Sequence, residues 1–181
     1  MIFPGGLQWH QGVDIAIRAF RKVVDVLPTA EFHIYGAGNA KESLIALTQE
    51  LGLQERVFFF SGVSLDKIPA LMADADIGVV PKRADSFGNE AYSTKIMEFM
   101  SVGLPAVISS TKVDRFYFND EVVRFFESGN VDQLAQGILD VLRDKQLRQT
   151  MVQKASAYAA TNCWNTRKAD YLNLLDTLCL K

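Results

Sequence analysis

Short apolar segments alternate with helical segments along most of the chain, and this alternation constrains the fold more than any other feature. Two apolar segments, Arg56–Gly62 and Ala75–Pro81, are continuous runs of the kind that strands buried on both faces show. Earlier in the chain, residues such as Val13, Ile17 and Phe20 recur at the spacing of one helix face. Strands that alternate with helices of about 10–15 residues predict βαβ units and a parallel sheet that helices cover on both faces.

Periodicity and turn residues give the approximate bounds of each element. Strands are predicted at Met1–Leu7, Ala30–Gly38, Arg56–Gly62, Ala75–Pro81, Pro105–Ser110 and Val122–Phe126. Helices are predicted at Val13–Leu27, Ala40–Leu51, Leu65–Ala73, Ser93–Val102, Asn130–Asp144, Gln146–Thr161 and Trp164–Leu180. No element is predicted between Ser110 and Val122, and Asn130 with Gln133 resembles a capping box. We therefore expect one α/β domain of the Rossmann-like class, with a parallel sheet of about six strands, helices on both faces and extra C-terminal helices.

Composition excludes several functional classes. The 181 residues fit one domain, and a net charge of −2 leaves no basic footprint for nucleic acid. No apolar run approaches the ~20 residues that span a bilayer. The two cysteines, Cys163 and Cys179, and the two histidines, His10 and His33, form no metal-ligand pattern. We expect a cytoplasmic, reducing location and no metal.

In a parallel α/β sheet, ligands bind at the carboxyl ends of the strands, which selects four loops in this chain. These loops are Gly5–Gly12, Gly36–Asn39, Ser61–Ser64 and Lys82–Tyr92. Gly5, Gly6 and Gly12 either let an anion approach the backbone at a helix N-terminus or only form a tight turn. Their spacing is not the dinucleotide fingerprint, and the Gly36–Gly38 pair carries the same ambiguity. His10, at the helix start, could contact an anion.

The loop Lys82–Tyr92 is the strongest candidate for a ligand site. Its eleven residues exceed the two to six that usually connect a strand to a helix. Ser86, Gly88 and Asn89 can offer backbone or side-chain donors, and Ser93 or Thr94 is the candidate N-cap of the next helix. A phosphate and a sugar could be held together in this loop.

The helix that follows carries charges on a mostly apolar surface. Thr94, Glu98 and Ser101 lie on one side, and Lys95 is three residues from Glu98. One reading is a solvated stripe with a weak Lys–Glu pair. The other is a partly shielded carboxylate that needs donors, which the vicinal hydroxyls of a ligand supply. A second carboxylate, Glu90, precedes Glu98 by eight residues.

These residues also resemble a known family. The segment EAYSTKIMEFMSVGLPAV has the E-x7-E form of group 1 (family 4) retaining glycosyltransferases of the GT-B fold, with Glu90 and Glu98 as the two carboxylates. Further segments that agree in order and spacing are GVDIAIRAF, FHIYGAG, ERVFFFSGVSLDKIPALMADADIGVVP, NVDQLAQGILDVLRD and CWN. The resemblance covers nearly the whole chain and implies the C-terminal, donor-binding domain of such an enzyme.

The resemblance also implies residue roles around a nucleotide-diphosphate sugar. Glu98 would accept the ribose hydroxyls, and Glu90, the catalytic candidate, would hold hydroxyls of the transferred sugar. The N–H groups of Tyr92–Thr94 would face the distal phosphate, and Ser61–Val63 would border the base. The complete set of substrate-binding candidates is Gly6, His10, Gln11, Gly36, Gly38, Val63, Phe87, Gly88, Asn89, Ala91, Tyr92, Ser93, Thr94, Lys95 and Glu98. Transfer would retain the anomeric configuration and would need no metal or other cofactor.

One departure from the family pattern concerns the diphosphate. The family commonly carries an Arg in the first glycine loop and a Lys just before the helix glycine, where this chain has Gly6 and Gln11. Either His10, Gln11 and Lys95 take over with the helix dipoles, or the protein keeps binding and has lost catalysis.

The resemblance sets expectations for the whole protein. The N-terminal acceptor domain is absent from residues 1–181, and residues 163–181 would form a crossover or capping helix. In a longer protein, that missing domain would be a partner and could bring peripheral contact with a membrane. The isolated domain would turn over slowly or not at all. Three hypotheses remain open: a glycosyltransferase of polysaccharide or cell-surface assembly, a silent nucleotide-sugar-binding module, and half of a sugar-nucleotide epimerase.

Overall fold

A computed structural model describes residues 1–179, in which six strands pair in parallel to form one sheet. The strands are β1 (Ile2–Pro4), β2 (Phe32–Tyr35), β3 (Val57–Phe60), β4 (Gly78–Val80), β5 (Ala106–Ser109) and β6 (Arg124–Phe126). Their order across the sheet is β3-β2-β1-β4-β5-β6. This is a doubly wound arrangement in which the direction of winding reverses between β1 and β4. The predicted fold class is confirmed.

Helices connect these strands and extend the chain beyond the last one. They are α1 (Val13–Val26), α2 (Lys41–Glu50), α3 (Ile68–Ala73), α4 (Thr94–Ser101), α5 (Lys112–Tyr117), α6 (Val131–Arg143), α7 (Lys145–Thr161) and α8 (Trp164–Cys179). The predicted end of α8 at Leu180 lies outside the described residues. None of the helices within residues 1–179 is long and apolar enough to cross a lipid bilayer.

The two faces of the sheet carry separate apolar cores. On one face α1 packs against α6, because its residues Ala16, Ile17 and Phe20 form a continuous buried stripe. On the other face α4 packs against α7. The two layers fix α1 and α4, whose N-termini both lie at the carboxyl edge of the sheet.

Helix α5 contradicts the expectation of no element between Ser110 and Val122. Thr111 caps this helix, since its hydroxyl accepts a hydrogen bond from the N–H of Asp114. The helix has only six residues and contains Val113 and Phe116, which have modest helix propensity. A helix this short shows no periodicity that a sequence pattern could reveal.

Strand β3 is an edge strand, so the prediction of a buried strand at Arg56–Gly62 was wrong. Within the described residues β3 pairs with β2 alone, and Phe60 is 37% exposed. A continuous apolar run does not distinguish a central strand from an edge strand whose aromatic side chains pack on their neighbours. Here Phe60 stacks on Tyr35 with ring centroids 4.6 Å apart.

The C-terminal helices differ in how they are held. Asn130 caps α6 as expected, accepting a hydrogen bond from the N–H of Gln133 at 3.0 Å. The side chain of Gln133 instead accepts from the N–H of Glu127, so the reciprocal bond of a capping box is not formed. Helix α8 buries none of its described residues against the rest of the domain.

Candidate functional site

A cleft of about 440 Å³ opens at the carboxyl edge of the sheet, where the winding direction reverses. The turns after β1, β2 and β3 form one side, and the first two turns of α4 form the other. The lining residues are Pro4, Gly5, Gly6, Tyr35, Gly36, Ala37, Gly62, Val63, Leu65, Ile68, Thr94, Lys95 and Glu98. This is the position at which doubly wound domains bind ligands.

Glycines allow the turns after β1 and β2 to pack directly on each other. The N–H of Gly5 donates to the carbonyl of Tyr35 at 2.9 Å. A Cβ on Gly36 would lie 1.9 Å from the carbonyl oxygen of Gly5, and a Cβ on Gly38 would lie 2.4 Å from that of Leu7. The backbone contact alone therefore requires these two glycines, whatever ligand binds. A Cβ on Gly6 would meet only the side chain of Gln8.

Lys95 supplies a positive charge inside the cleft. Its ammonium lies 4.8 Å from the centre of the Phe3 ring, and a Cβ added to Gly5 would lie 2.7 Å from Nζ. Burial lowers the pKa of Lys95 to about 8; nearby Lys82 acts in the same direction and Glu98 opposes it. Lys95 is therefore not part of a solvated stripe, but a poorly hydrated cation beside the first glycine turn.

Glu98 lies one turn further along α4, in the same cleft. Its side chain is exposed, as are those of Thr94 and Ser101. Of the two alternatives, the solvated stripe describes these three residues, and the partly shielded carboxylate was wrong. The apolar circumference of α4 is buried through Ile96 and Phe99 instead. Lys95 and Glu98 form no ion pair within 4.0 Å among the described residues, although Glu98 acts to raise the pKa of Lys95, and both side chains line the cleft.

The N-terminus of α4 keeps free backbone donors. Ser93 is the N-cap, but its side chain forms no capping hydrogen bond. The N–H groups of Tyr92, Ser93 and Thr94 donate to no acceptor among the described residues. Together with Lys95 they form a site suited to an anion.

The loop Lys82–Tyr92 uses most of its donors internally, contrary to the expectation that Gly88 and Asn89 would offer them to a ligand. The N–H groups of residues 88 to 91 donate to Asp85 or Phe87. The amide of Asn89 donates to Ala84 and accepts from the N–H of Lys112. A Cβ on Gly88 would lie 1.8 Å from the carbonyl oxygen of Arg83. These residues give the loop its shape.

Arg83 ties this loop to the first glycine loop, a contact that the sequence analysis missed. Its guanidinium forms a bidentate pair with Asp14 and donates to the carbonyl of Trp9. It also stacks on the Trp9 ring at 3.5 Å, while the Arg83 N–H donates to the carbonyl of His10. No sequence signal pairs Arg83 with Asp14, because 69 residues separate them.

A buried ion pair behind the loop was also missed. Nζ of Lys82 lies 2.9 Å from Oδ2 of Asp114 and donates to the carbonyl of Ala91 at 2.6 Å. Both charged side chains are almost fully buried, at 3% and 0% exposure. The only sequence hint was a lysine directly after a buried strand and a proline.

The structure brings six of the predicted site residues together in the cleft: Gly6, Gly36, Val63, Thr94, Lys95 and Glu98. The others, which do not line it, are His10, Gln11, Gly38, Phe87, Gly88, Asn89, Glu90, Ala91, Tyr92 and Ser93. The ring of His10 packs edge-on against Phe87 at 4.8 Å, and the exposed Glu90 lies 3.3 Å from Nζ of Lys112.

A larger and mostly apolar cavity of about 760 Å³ adjoins the cleft and shares Thr94 and Glu98 with it. Tyr92 and Tyr158 line this cavity. Burial, followed by the effects of Tyr158, Tyr117 and Asp114, raises the pKa of Tyr92 to about 12, so its hydroxyl stays protonated at neutral pH. Within residues 1–179, no three His, Cys, Asp or Glu side chains are grouped as metal ligands would be.

The fold and the cleft define the class of protein: a doubly wound α/β domain with a cleft at its switch point that Lys95 and Glu98 line. The chain belongs to the glycosyl transferases group 1 family, whose sequence model matches residues 1–158. It is 30% identical over 156 residues to an uncharacterized glycosyltransferase of Methanocaldococcus jannaschii, covering 86% of this chain and 38% of that protein. It is 27% identical to a GDP-mannose-dependent α-(1-6)-phosphatidylinositol monomannoside mannosyltransferase of Mycolicibacterium smegmatis, covering 92% and 44%.

Solved structures share the fold. The Anabaena protein HepE, crystallised in complex with UDP, superposes with a TM-score of 0.87 at 22% identity, covering 97% of this chain and 48% of that one. Sucrose-phosphate synthase of Thermosynechococcus elongatus superposes with a TM-score of 0.87 at 19% identity, covering 99% of this chain and 45% of that one. The chain thus spans less than half the length of these relatives.

Proposed function

We propose that the chain is the donor-binding domain of a glycosyltransferase and that its cleft binds a nucleotide-diphosphate sugar. The observation that carries this proposal is the position of Lys95 and Glu98, one turn apart on α4 and facing the two glycine turns across one cleft. A cation and free N–H groups suit a diphosphate, and an exposed carboxylate one turn away suits the vicinal hydroxyls of a ribose.

The named groups have separate roles in this proposal. Lys95 and the N–H groups of Tyr92–Thr94 bind the diphosphate and stabilise the charge that develops on it as the sugar leaves. Glu98 accepts the ribose hydroxyls, and Val63 borders the base. Glu90, on the loop that precedes α4, holds hydroxyls of the transferred sugar. Transfer proceeds with retention of configuration and without a metal, as in the resembling family.

The proposal extends to the protein in which such a domain works. An acceptor-binding domain of comparable size would face the cleft, provide the acceptor site and make any peripheral contact with a membrane. Similarity to the mannosyltransferase and to the UDP-bound HepE supports a nucleotide donor and leaves uracil and guanine as the candidate bases. Without that second domain we expect donor binding with little or no turnover.

Titration calorimetry of the chain with UDP and with GDP tests the donor site. We expect one nucleotide to bind and Glu98→Ala to weaken it about tenfold or more, because a hydrogen bond to a charged acceptor contributes about 1.5–3 kcal/mol. Glu42→Ala, which removes an exposed carboxylate from α2, is the matched control and should leave the affinity unchanged. Absence of binding to both nucleotides, or an unchanged affinity in Glu98→Ala, would refute the site.

A second candidate function is a catalytically silent nucleotide-sugar-binding module. The specific observation in its favour is that Gly6 and Gln11 stand where the family commonly has cations, so Lys95 is the one cation lining the described cleft. An assay of the protein joined to an acceptor domain separates the two functions. Donor binding with neither transfer nor donor hydrolysis would favour the silent module.

A further inference from the structure

The buried pair of Lys82 and Asp114 lies directly behind the loop that leads into α4. Lys82 follows β4, and Asp114 lies in α5, so the pair bridges two βα connections. Nζ of Lys82 also donates to the carbonyl of Ala91 at 2.6 Å, and Oδ2 of Asp114 accepts from the hydroxyl of Thr111 at 2.6 Å. The residue next to Ala91 is Glu90.

Stability alone does not account for this pair. The free energy needed to remove two charges from water can exceed the attraction between them. Apolar residues of similar volume commonly stabilise a protein as well as such a pair or better. The pair is also incompletely satisfied, since Oδ1 of Asp114 accepts no hydrogen bond within the described residues. What the ammonium provides, and an apolar side chain cannot, is a directed bond to the Ala91 carbonyl.

That bond fixes the second half of the loop. The first half is held by Arg83, which is paired with Asp14. The second half contains Glu90 and leads to the free N–H groups at the start of α4, and Lys82 contacts it from inside the domain. A displaced Ala91 carbonyl would therefore shift both Glu90 and these donors, while α4 itself stays packed through Ile96 and Phe99.

We propose that Lys82 and Asp114 are positioning residues that hold Ala91, and through it the N-terminus of α4 and Glu90, in place for the diphosphate and sugar of the donor. This inference rests on the proposed function and deepens it. The pair touches no part of the donor. It sets the geometry of the groups that do.

The test removes the pair without leaving a lone buried charge. In the double variant Lys82→Met/Asp114→Leu both charges disappear together, which also avoids a large change in the field at Lys95, whose pKa Lys82 lowers. The matched control is Lys154→Met/Glu121→Leu, which removes an exposed ion pair elsewhere on the chain. Thermal melting establishes that both variants are folded.

The readout is a ratio of affinities, measured by calorimetry with UMP and UDP and with GMP and GDP. The gain in affinity from monophosphate to diphosphate reports the groups at the start of α4. In a folded double variant, the ratio of the monophosphate Kd to the diphosphate Kd should fall about tenfold, or about 1.4 kcal/mol. The affinity for the monophosphate itself should change less than twofold. Titrations with UDP-glucose and GDP-mannose then measure the affinity that the sugar adds to the nucleoside diphosphate. A decrease in this added affinity would report a displaced Glu90.

A folded double variant that keeps the full gain overturns the positioning role, as does an equal loss for monophosphate and diphosphate. If the double variant does not fold, Thr111→Val decides. It removes the hydroxyl that donates to Asp114, and with it the cap of α5, without unpairing the charges. In this variant the same ratio of Kd values should fall about threefold, and an unchanged ratio overturns the inference. A wild-type chain that binds none of these nucleotides refutes the donor site itself, which is a different result.

Discussion

Replacing Lys95 with methionine should stabilise the domain and weaken its binding of nucleotide diphosphates. The thioether side chain keeps the apolar contact with Phe3 and removes the ammonium beside Gly5. In the free protein this ammonium is poorly hydrated, and in the proposed complex it pairs with a diphosphate. A residue that serves only the structure would not produce opposite changes in these two quantities.

The magnitude follows from the pKa of Lys95. A decrease from 10.5 to about 8 through burial corresponds to about 3 kcal/mol lost by the charged form on folding, which its half-buried position reduces to about 1–3 kcal/mol. Below pH 8 both states hold the proton and the whole penalty applies. Between pH 8 and 10.5 the unfolded state binds more protons, so the free energy of unfolding of the wild type rises with pH. The advantage of Lys95→Met should shrink over the same range.

Urea unfolding at pH 7 and pH 9.5, together with calorimetric titration of UDP and GDP, measures both effects. We expect Lys95→Met to gain about 1–3 kcal/mol at pH 7 and to lose about tenfold or more in diphosphate affinity. The affinity of the wild type should itself fall as pH rises above about 8. Lys154→Met, an exposed lysine, should change neither quantity. A variant that is less stable than the wild type, or that binds diphosphate as well, would refute the reasoning.

Three glycines give further predictions. Gly12→Ala should lower the free energy of unfolding in urea by more than about 2 kcal/mol, because φ is +67° and the new Cβ would lie 2.0 Å from the carbonyl oxygen of Pro81. Gly52→Ala is the control, because φ is +66° and no atom lies within 4 Å of the new Cβ, and it should lower the free energy of unfolding by about 1–2 kcal/mol. Equal losses in the two variants would argue against a steric effect of the Pro81 carbonyl. Gly5→Ala should displace the ammonium of Lys95 and weaken diphosphate binding about tenfold in calorimetry; wild-type affinity would contradict this geometry.

Periodicity predicted the fold because the two layers of helices bury continuous stripes. Helix α1 illustrates this: its apolar residues repeat every three or four positions, and its observed bounds, Val13–Val26, lie within one residue of the prediction. Strand ends were less accurate, since the residues that follow β1 are small or apolar and resemble a strand. The prediction ran to Leu7, whereas β1 ends at Pro4. Local composition does not reveal where ladder hydrogen bonds stop.

Burial of single polar side chains could not be predicted from the sequence. A helical wheel assigns Lys95 to the same side as Glu98, yet the first is half-buried and the second is exposed. The cover over Lys95 comes from Phe3 and Gly5, about ninety residues earlier in the chain. The pairing of Lys82 with Asp114 depends in the same way on the order of β4 and β5 in the sheet. These contacts follow from topology, which a local pattern does not contain.

In the proposed donor site, Lys95 would take the place of the cations that the family commonly carries in its first glycine loop. An arginine at Gly6 or a lysine at Gln11 would approach a bound diphosphate from β1. Lys95 would approach it from α4, and its ammonium lies where a side chain on Gly5 would have to go. A second cation in this cleft would lower the pKa of Lys95 further and reduce its charged fraction at neutral pH. We therefore expect Gly6→Arg to add little diphosphate affinity beside Lys95 and to restore affinity in Lys95→Met. Equal gains in both backgrounds, measured by calorimetry with UDP and GDP, would show that the two positions act independently.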